Sequence, residues 1–243
     1  MHALTTEVFS QLHFVNDCPG ELHGLEKKVY IEPLVGHMRH PRALDECSLT
    51  EAKVHVMDVS YLLVNPWPAS DFLLLYPGKR YLLDCGTSTF DTSLMFLTTR
   101  YRQSGIEFDR IWAWEAEAQP SRAYWDAVPD IYKSRLHYYN TPITDDIAHA
   151  DHPLSVIRDI YRPGDFIALK LDIDNSPLET AIVEAIGNDP HLVQSIGEMF
   201  YEQHYIHREM APYFGTNLSV TLEMAQRSLG KLRQMGLIVH YWP

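Results

Sequence analysis

The sequence predicts a doubly wound α/β fold, a mostly parallel sheet with helices on both faces. Two observations predict it. From Lys79 onward, short apolar runs of strand character alternate with segments whose apolar residues recur at helical spacing. Consecutive strands are separated by helix-length connections, the βαβ crossovers that join parallel neighbours. In such a sheet ligands bind beyond the carboxyl ends of the strands, where the strand order reverses. The residues that end each strand are therefore the candidates for function.

Arg80 to Gly86, RYLLDCG, is the first strand, a buried run closed by a glycine turn, and after it Phe90, Leu94, Leu97 and Tyr101 share one helical face. DRIWAWEAE (109–117) is the second strand, followed by a helix from Ser121 to about Val128, and SRLHYYNTPI (134–143) is the third. A polar, histidine-containing helix or loop leads to DFIALKLDID (165–174), the fourth strand. The next helix has an explicit start: Ser176 as N-cap, Pro177 at the first helical position and Glu179 completing a capping box. Leu178, Ala181, Ile182, Ala185 and Ile186 form its apolar face. LVQSIGEMFYE (192–202) reads as a fifth strand. A long helix over about 219–235 turns Leu222, Leu229 and Leu232 inward, Gly236 caps it, and LIVHYW is the last strand.

Residues 1–65 lack this rhythm. DCPGELHG and GHMRHPRALDE are turn-rich and NPWPASD (65–71) is a clear break, so residues 1–65 are expected to form an N-terminal appendage or lid and residues 66–243 the α/β domain. With 46% apolar residues, five Trp and fourteen Tyr, the 243-residue chain can build a sizeable core. Its formal charge of −12 repels a nucleic-acid backbone or an anionic membrane, and no Lys/Arg run offsets it. Cys18, Cys47 and Cys85 are odd in number and lack C-x-x-C spacing, which argues against a disulfide framework or a cysteine zinc site and fits a reducing compartment. No apolar run approaches the ~18 residues of a membrane span, and the first residues carry no signal-peptide pattern. The expectation is a soluble, cytoplasmic protein.

Read with period two, Lys170, Asp172 and Asp174 share one face of the fourth strand, opposite Ile167, Leu169, Leu171 and Ile173. Unpaired buried charge costs several kcal/mol, so Lys170 should pair with an aspartate, or the group should open into a polar cleft. The first strand ends in Asp84-Cys85-Gly86-Thr87-Ser88, small residues that let a ligand approach the backbone near a helix N-terminus. Glu115 and Glu117 end the second, where a carboxylate commonly accepts a ribose diol. Glu115 lies 31 positions after Asp84, beyond the ~20 of a dinucleotide fingerprint. On the fifth strand Glu198 and Glu202 share a face, and His204 and His207 follow; with Asp172 or Asp174 they could make an oxygen/nitrogen metal site.

Four of these stretches, YLLDCGTSTF, IWAWEAE, FIALKLDIDNSPLE and IGEMFYEQHY, together resemble the class I S-adenosylmethionine-dependent methyltransferases, and within them the FkbM-like group of small-molecule O-methyltransferases. They follow in the family's order from Arg80 to about Tyr205, about half of the chain. The resemblance implies a Rossmann-like methyltransferase fold with S-adenosylmethionine as cofactor and a small hydroxylated molecule as acceptor. It implies that Asp84 and Gly86, with Thr87 and Ser88 of the same loop, lie near the methionine part, that Glu115 holds the ribose hydroxyls, and that Asn140, Thr141 and Ile143 lie near adenine. Asp172 would bind or orient the acceptor hydroxyl, with Asp174, Glu198 and His204 as further catalytic candidates. A divalent metal, if used, would fall to Asp172, Asp174 and Glu198.

Methyl transfer from a sulfonium is an in-line displacement, so alignment is the main contribution asked of the protein. A carboxylate or histidine could take the hydroxyl proton, or a metal could lower the acceptor's pKa. The chain departs from the family in carrying Phe90 where a second glycine is usual, a ring that would crowd the cofactor if it pointed into the loop. It also carries Ser88 where an Asn is frequent and Asp174-Asn175 after the fourth strand, and it stops at HYWP, one strand short of the usual sheet. Two other readings are a methyltransferase-like binding module without transfer activity and a metal-dependent glycosyltransferase using Asp172-Ile173-Asp174 as its D-x-D. A nicotinamide dehydrogenase is disfavoured, because the first loop lacks G-x-G-x-x-G.

Overall fold

The computed structural model describes residues 10–15, 26–32, 58–206 and 218–243. His207, Cys18, Cys47 and the two turn-rich N-terminal stretches lie outside them. Strands β1 (Ser10–Val15) and β2 (Glu26–Ile31) form an antiparallel pair. The remaining strands, β3 (Arg80–Cys85), β4 (Arg110–Trp114), β5 (Leu136–Tyr139), β6 (Phe166–Leu171), β7 (Glu198–Tyr201) and β8 (Ile238–Tyr241), form one sheet in the order β5-β4-β3-β6-β7-β8. Every pairing in it is parallel. The chain winds outward from β3 to β5, returns to β6 and winds outward the other way, so the order reverses between β3 and β6. This is the doubly wound Rossmann-like arrangement the strand and helix rhythm predicts. Among the described residues no antiparallel strand joins this sheet.

Period-two alternation divides the core between the two faces. Leu82, Phe166 and Ala168 face α2 (Ser93–Gln103), α3 (Ser121–Ala127) and α4 (Asp130–Lys133), together with Phe72 of α1 (Ala69–Leu75). Leu83, Ile167, Leu169 and Leu171 face α5 (Pro153–Ile160), α6 (Ser176–Asn188), α7 (Pro190–Ser195) and α8 (Leu222–Gln234). Phe90 is fully buried on the first face, its ring 5.5 Å from that of Tyr132, so it packs under the glycine loop rather than into it. The described part of the N-terminal segment joins the same cluster: Val29 and Ile31 are buried with Leu82, and the Phe14 ring lies 5.0 Å from Trp67.

Three local expectations are corrected. The fourth strand stops at Leu171, not Asp174: the Asp172 amide still reaches Cys85 O at 3.0 Å, but the Ile173 amide donates to Glu179 Oε1 at 2.8 Å and Asp174 turns to φ 54°. The cap of α6 is Asn175, whose Oδ1 accepts from the Leu178 amide, so Ser176 is already helical and Glu179 reaches back to Ile173 instead of closing a capping box. Residues 192–195 are the end of helix α7, not a strand, because Asp189 caps the His191 amide and Pro190 starts the turn.

Glu198 is the first residue of β7, in register with Ala168, about 13 Å up the strand direction from Asp172. It belongs to a buried network at the amino end of the sheet, where His240 Nε2 lies 2.7 Å from Glu198 Oε1 and His240 Nδ1 lies 2.5 Å from Glu32 Oε1. Tyr101 Oη donates to Glu198 Oε2 and the Asn65 amide to Oε1. Glu198 therefore cannot serve as catalytic group or metal ligand beside Asp172 and Asp174. Burial alone would lower the His240 pKa, but Glu32 and Glu198 outweigh it and raise it from 6.5 to about 9. Burial would raise that of Glu32, yet His240 and the Leu63 amide bring it from 4.5 to about 2. The His240 contribution is complete below pH 6.5 and is lost as pH rises through 9; that of Glu32 is present above pH 4.5 and is lost as pH falls through 2. Thermal melts should thus show the midpoint falling between pH 6.5 and 9, with about 3 kcal/mol at stake. Glu202, whose pKa burial and the Asp172 charge raise to about 10, adds to the fall in this window. His240→Gln should therefore make the decline shallower by the His240 share, and an equally steep one in the variant would show that His240 does not contribute.

Candidate functional site

The site is built where the strand order reverses. After Cys85 the chain turns at Gly86, φ 86°, where an added Cβ would fall 1.6 Å from Asp172 O, so only glycine lets this loop lie against the end of β6. The Gly86 and Thr87 amides both donate to Trp114 O, and Thr87 is wholly buried. Ser88 follows at φ 52°, held by its amide donating to Glu115 Oε2 at 2.6 Å. Glu115, the first residue past β4, uses its other oxygen to accept from the Glu117 amide at 2.7 Å. Its carboxylate therefore pins two loops while each oxygen keeps a second lone pair for a ligand.

Lys170 lies beneath the loop, fully buried. Its Nζ donates to Gly86 O at 2.7 Å and to Asp172 Oδ2 at 2.8 Å, and stands 3.4 Å from Asp84 Oδ1. Asp84 also accepts from Ser93 Oγ, tying β3 to the start of α2. Burial would lower the Lys170 pKa; the two aspartates outweigh it, and the ammonium stays charged. Asp172 is likewise held below the usual carboxylate range, where burial would raise it, by Lys170 and by the hydrogen bond from Trp242 Nε1 at 3.1 Å. The strand's three charges thus separate: Lys170 and Asp172 are a pair, and Asp174 stands apart, exposed, beyond the turn.

Beside Asp172 lie Glu202 and His204, which the sequence offered as metal-site candidates, and Glu179, which it did not assign to the site. Glu202, just past β7, is buried against Asp172, and burial together with that neighbouring charge pushes its pKa up to about 10. Glu179 is fully buried and raised to about 7 by burial. His204 Nδ1 meets Ser176 Oγ at 2.7 Å, while its Nε2 is 3.0 Å from Glu202 Oε2. The sequence signal was the run Glu202-Gln203-His204 immediately beyond a strand end; Glu179 was hidden by its resemblance to a capping residue.

Between the ends of β3, β4, β5 and β6 opens a cleft of about 480 Å³. Of the residues predicted from sequence, Gly86, Ser88, Glu115, Thr141, Ile143, Asp172 and Asp174 line it. Asp84 and Thr87 lie behind its wall. Asn140 stitches its rim: Nδ2 donates to Glu115 O and Glu117 O, and Oδ1 accepts from the Gln119 amide. Four carboxylates, those of Glu115, Glu117, Asp172 and Asp174, face the cleft, and among the described residues no Lys or Arg does. No described helix is long and apolar enough to cross a membrane. The fold and the site define a Rossmann-like α/β protein with an acidic cleft at its switch point. Compared with family models, curated proteins and solved structures, the chain matches none.

Proposed function

We propose that the chain binds S-adenosylmethionine in this cleft and methylates a hydroxyl of a small acceptor. The observation that carries the reading is the lining: four carboxylates and, among the described residues, no cationic side chain, at the strand ends where a nucleoside cofactor binds. Such a surface attracts a sulfonium and accepts from a ribose diol, and it repels the pyrophosphate of a dinucleotide. The residues fit the group: the volume is in the small-ligand range, Glu115 retains lone pairs, and Phe90 is directed away into the core.

In this reading the cofactor supplies an electrophilic methyl group, and the chain supplies position. Glu115 would hold the ribose hydroxyls, with Thr141 and Ile143 beside the base. Asp172, fixed by Lys170 and Trp242, would accept a hydrogen bond from the acceptor hydroxyl and set its approach. Calorimetric titration with S-adenosylhomocysteine tests the binding step. Binding is expected in the wild type, weakened about 10- to 100-fold by Glu115→Gln, whose amide loses the charged acceptor. Asp172→Asn should leave that affinity nearly unchanged and lower turnover. No heat of binding from the folded wild type would overturn the reading.

A further inference from the structure

We propose that Asp174, Glu202 and His204 form a divalent-cation site at the carboxyl end of β7, with Asp172 and Glu179 closing its inner side. One donor atom from each of the first three lies within 4.8 Å of the others, and the same holds for Asp172, Glu179 and Glu202, so Glu202 is common to both sets. Of the two fifth-strand glutamates the sequence offers, Glu202 lies at this end and Glu198 one strand length away.

The independent sign of a missing ligand is Glu179. This residue has no solvent exposure; Oε1 accepts from the Ile173 amide, but the buried Oε2 has no hydrogen-bond partner among the described residues. A carboxylate oxygen is not left so without cost, and a cation held by Glu202 beside it would provide the partner. The charge count agrees. Four carboxylates converge here, and Lys170, which pairs with Asp172, is shared with Asp84. His204 alone remains among the described ion pairs of this cluster. Ser176 Oγ at Nδ1 orients the imidazole so that Nε2 points toward Glu202, the arrangement that fixes a metal-binding histidine. Asp174 is exposed and lines the cleft, which gives an ion its way in. Oxygen donors with one imidazole suit Mn²⁺, Fe²⁺ or Zn²⁺ better than Ca²⁺, which takes oxygens alone.

The inference does not rest on methyl transfer, and its test needs no cofactor. The full chain, freed of metal by chelation and dialysis, is titrated with Mn²⁺ alone, free ion being followed by electron paramagnetic resonance and bound ion by calorimetry. One ion per chain with micromolar affinity is expected. Glu202→Gln and His204→Ala should each weaken it at least about tenfold, and Asp126→Asn, on the exposed face of α3, should leave it unchanged. Asp174→Asn, at an exposed position, carries the same expectation of weakening and keeps the test open if either buried variant fails to fold. The proposal is overturned if wild-type Mn²⁺ binding is weaker than ~1 mM, or if the folded variants bind as the wild type does.

Discussion

Gly86→Ala should unfold the protein or lower its melting midpoint by at least about 10 °C. Two costs coincide at this position. The backbone sits at φ 86°, where an L side chain is strained by ~1–3 kcal/mol. The new methyl would also fall 1.6 Å from the Asp172 carbonyl oxygen, and that oxygen is backbone, unable to swing aside. Relief requires β3 and β6 to part where they pair, which places the substitution among the rare ones beyond ~4 kcal/mol. Gly105→Ala is the control: φ there is 77°, but among the described residues nothing lies within 4 Å of the added Cβ, so only the conformational part is lost. Circular-dichroism melts of the two variants should differ widely. Equal, small shifts would mean that the glycine loop does not lie against the end of β6.

Lys170→Met should cost about 3–5 kcal/mol of unfolding free energy, measured by urea denaturation. The lysine is buried between Asp84 and Asp172, and its removal leaves both carboxylates without their cation, Asp84 in a place that water does not reach and Asp172 at the edge of the cleft. Methionine matches the stem in size, so little of the loss is packing. It also deprives Gly86 O of its donor, loosening the cleft wall. Adding Asp172→Asn to Lys170→Met should restore at least ~1 kcal/mol by removing one stranded charge. A single variant as stable as the wild type would show that the aspartates find other partners.

The winding of the sheet was readable because its strands are short apolar runs separated by helix-length segments. The period-two geometry of a strand put Lys170 and Asp172 on one face, where they pair. It also misled, since LDID continues the polar–apolar rhythm past the last ladder bond, and only the Glu179 side chain reveals where the strand lets go. Asn175 and Ser176 are both good caps one position apart, and local sequence gives little to choose between them. Leu192 and Val193 outweighed the Asp189-Pro190 start signal that makes their segment helical. Least legible was the company of Glu198. Its partner His240 also grips Glu32, 208 positions away, and nothing in a one-dimensional pattern marks residues so distant as neighbours. That pairing, with the strand length that separates Glu198 from Asp172, keeps Glu198 out of the candidate site.

The hydrogen bond from Trp242 to Asp172 has a consequence for the order of events during synthesis. Asp172 and β7 have left the ribosome's catalytic centre by residue 201, yet the strand that covers β7 and the indole that steadies Asp172 arrive only with residues 238–242. At ~5–20 residues per second about 2–8 s separate the synthesis of β7 from that of Trp242, and until β8 arrives β7 has no partner on that side. During that interval the growing polypeptide is open to mispairing with other chains, and a protein interrupted just before Ile238 would keep most of its helices while leaving β7 as an unpaired edge.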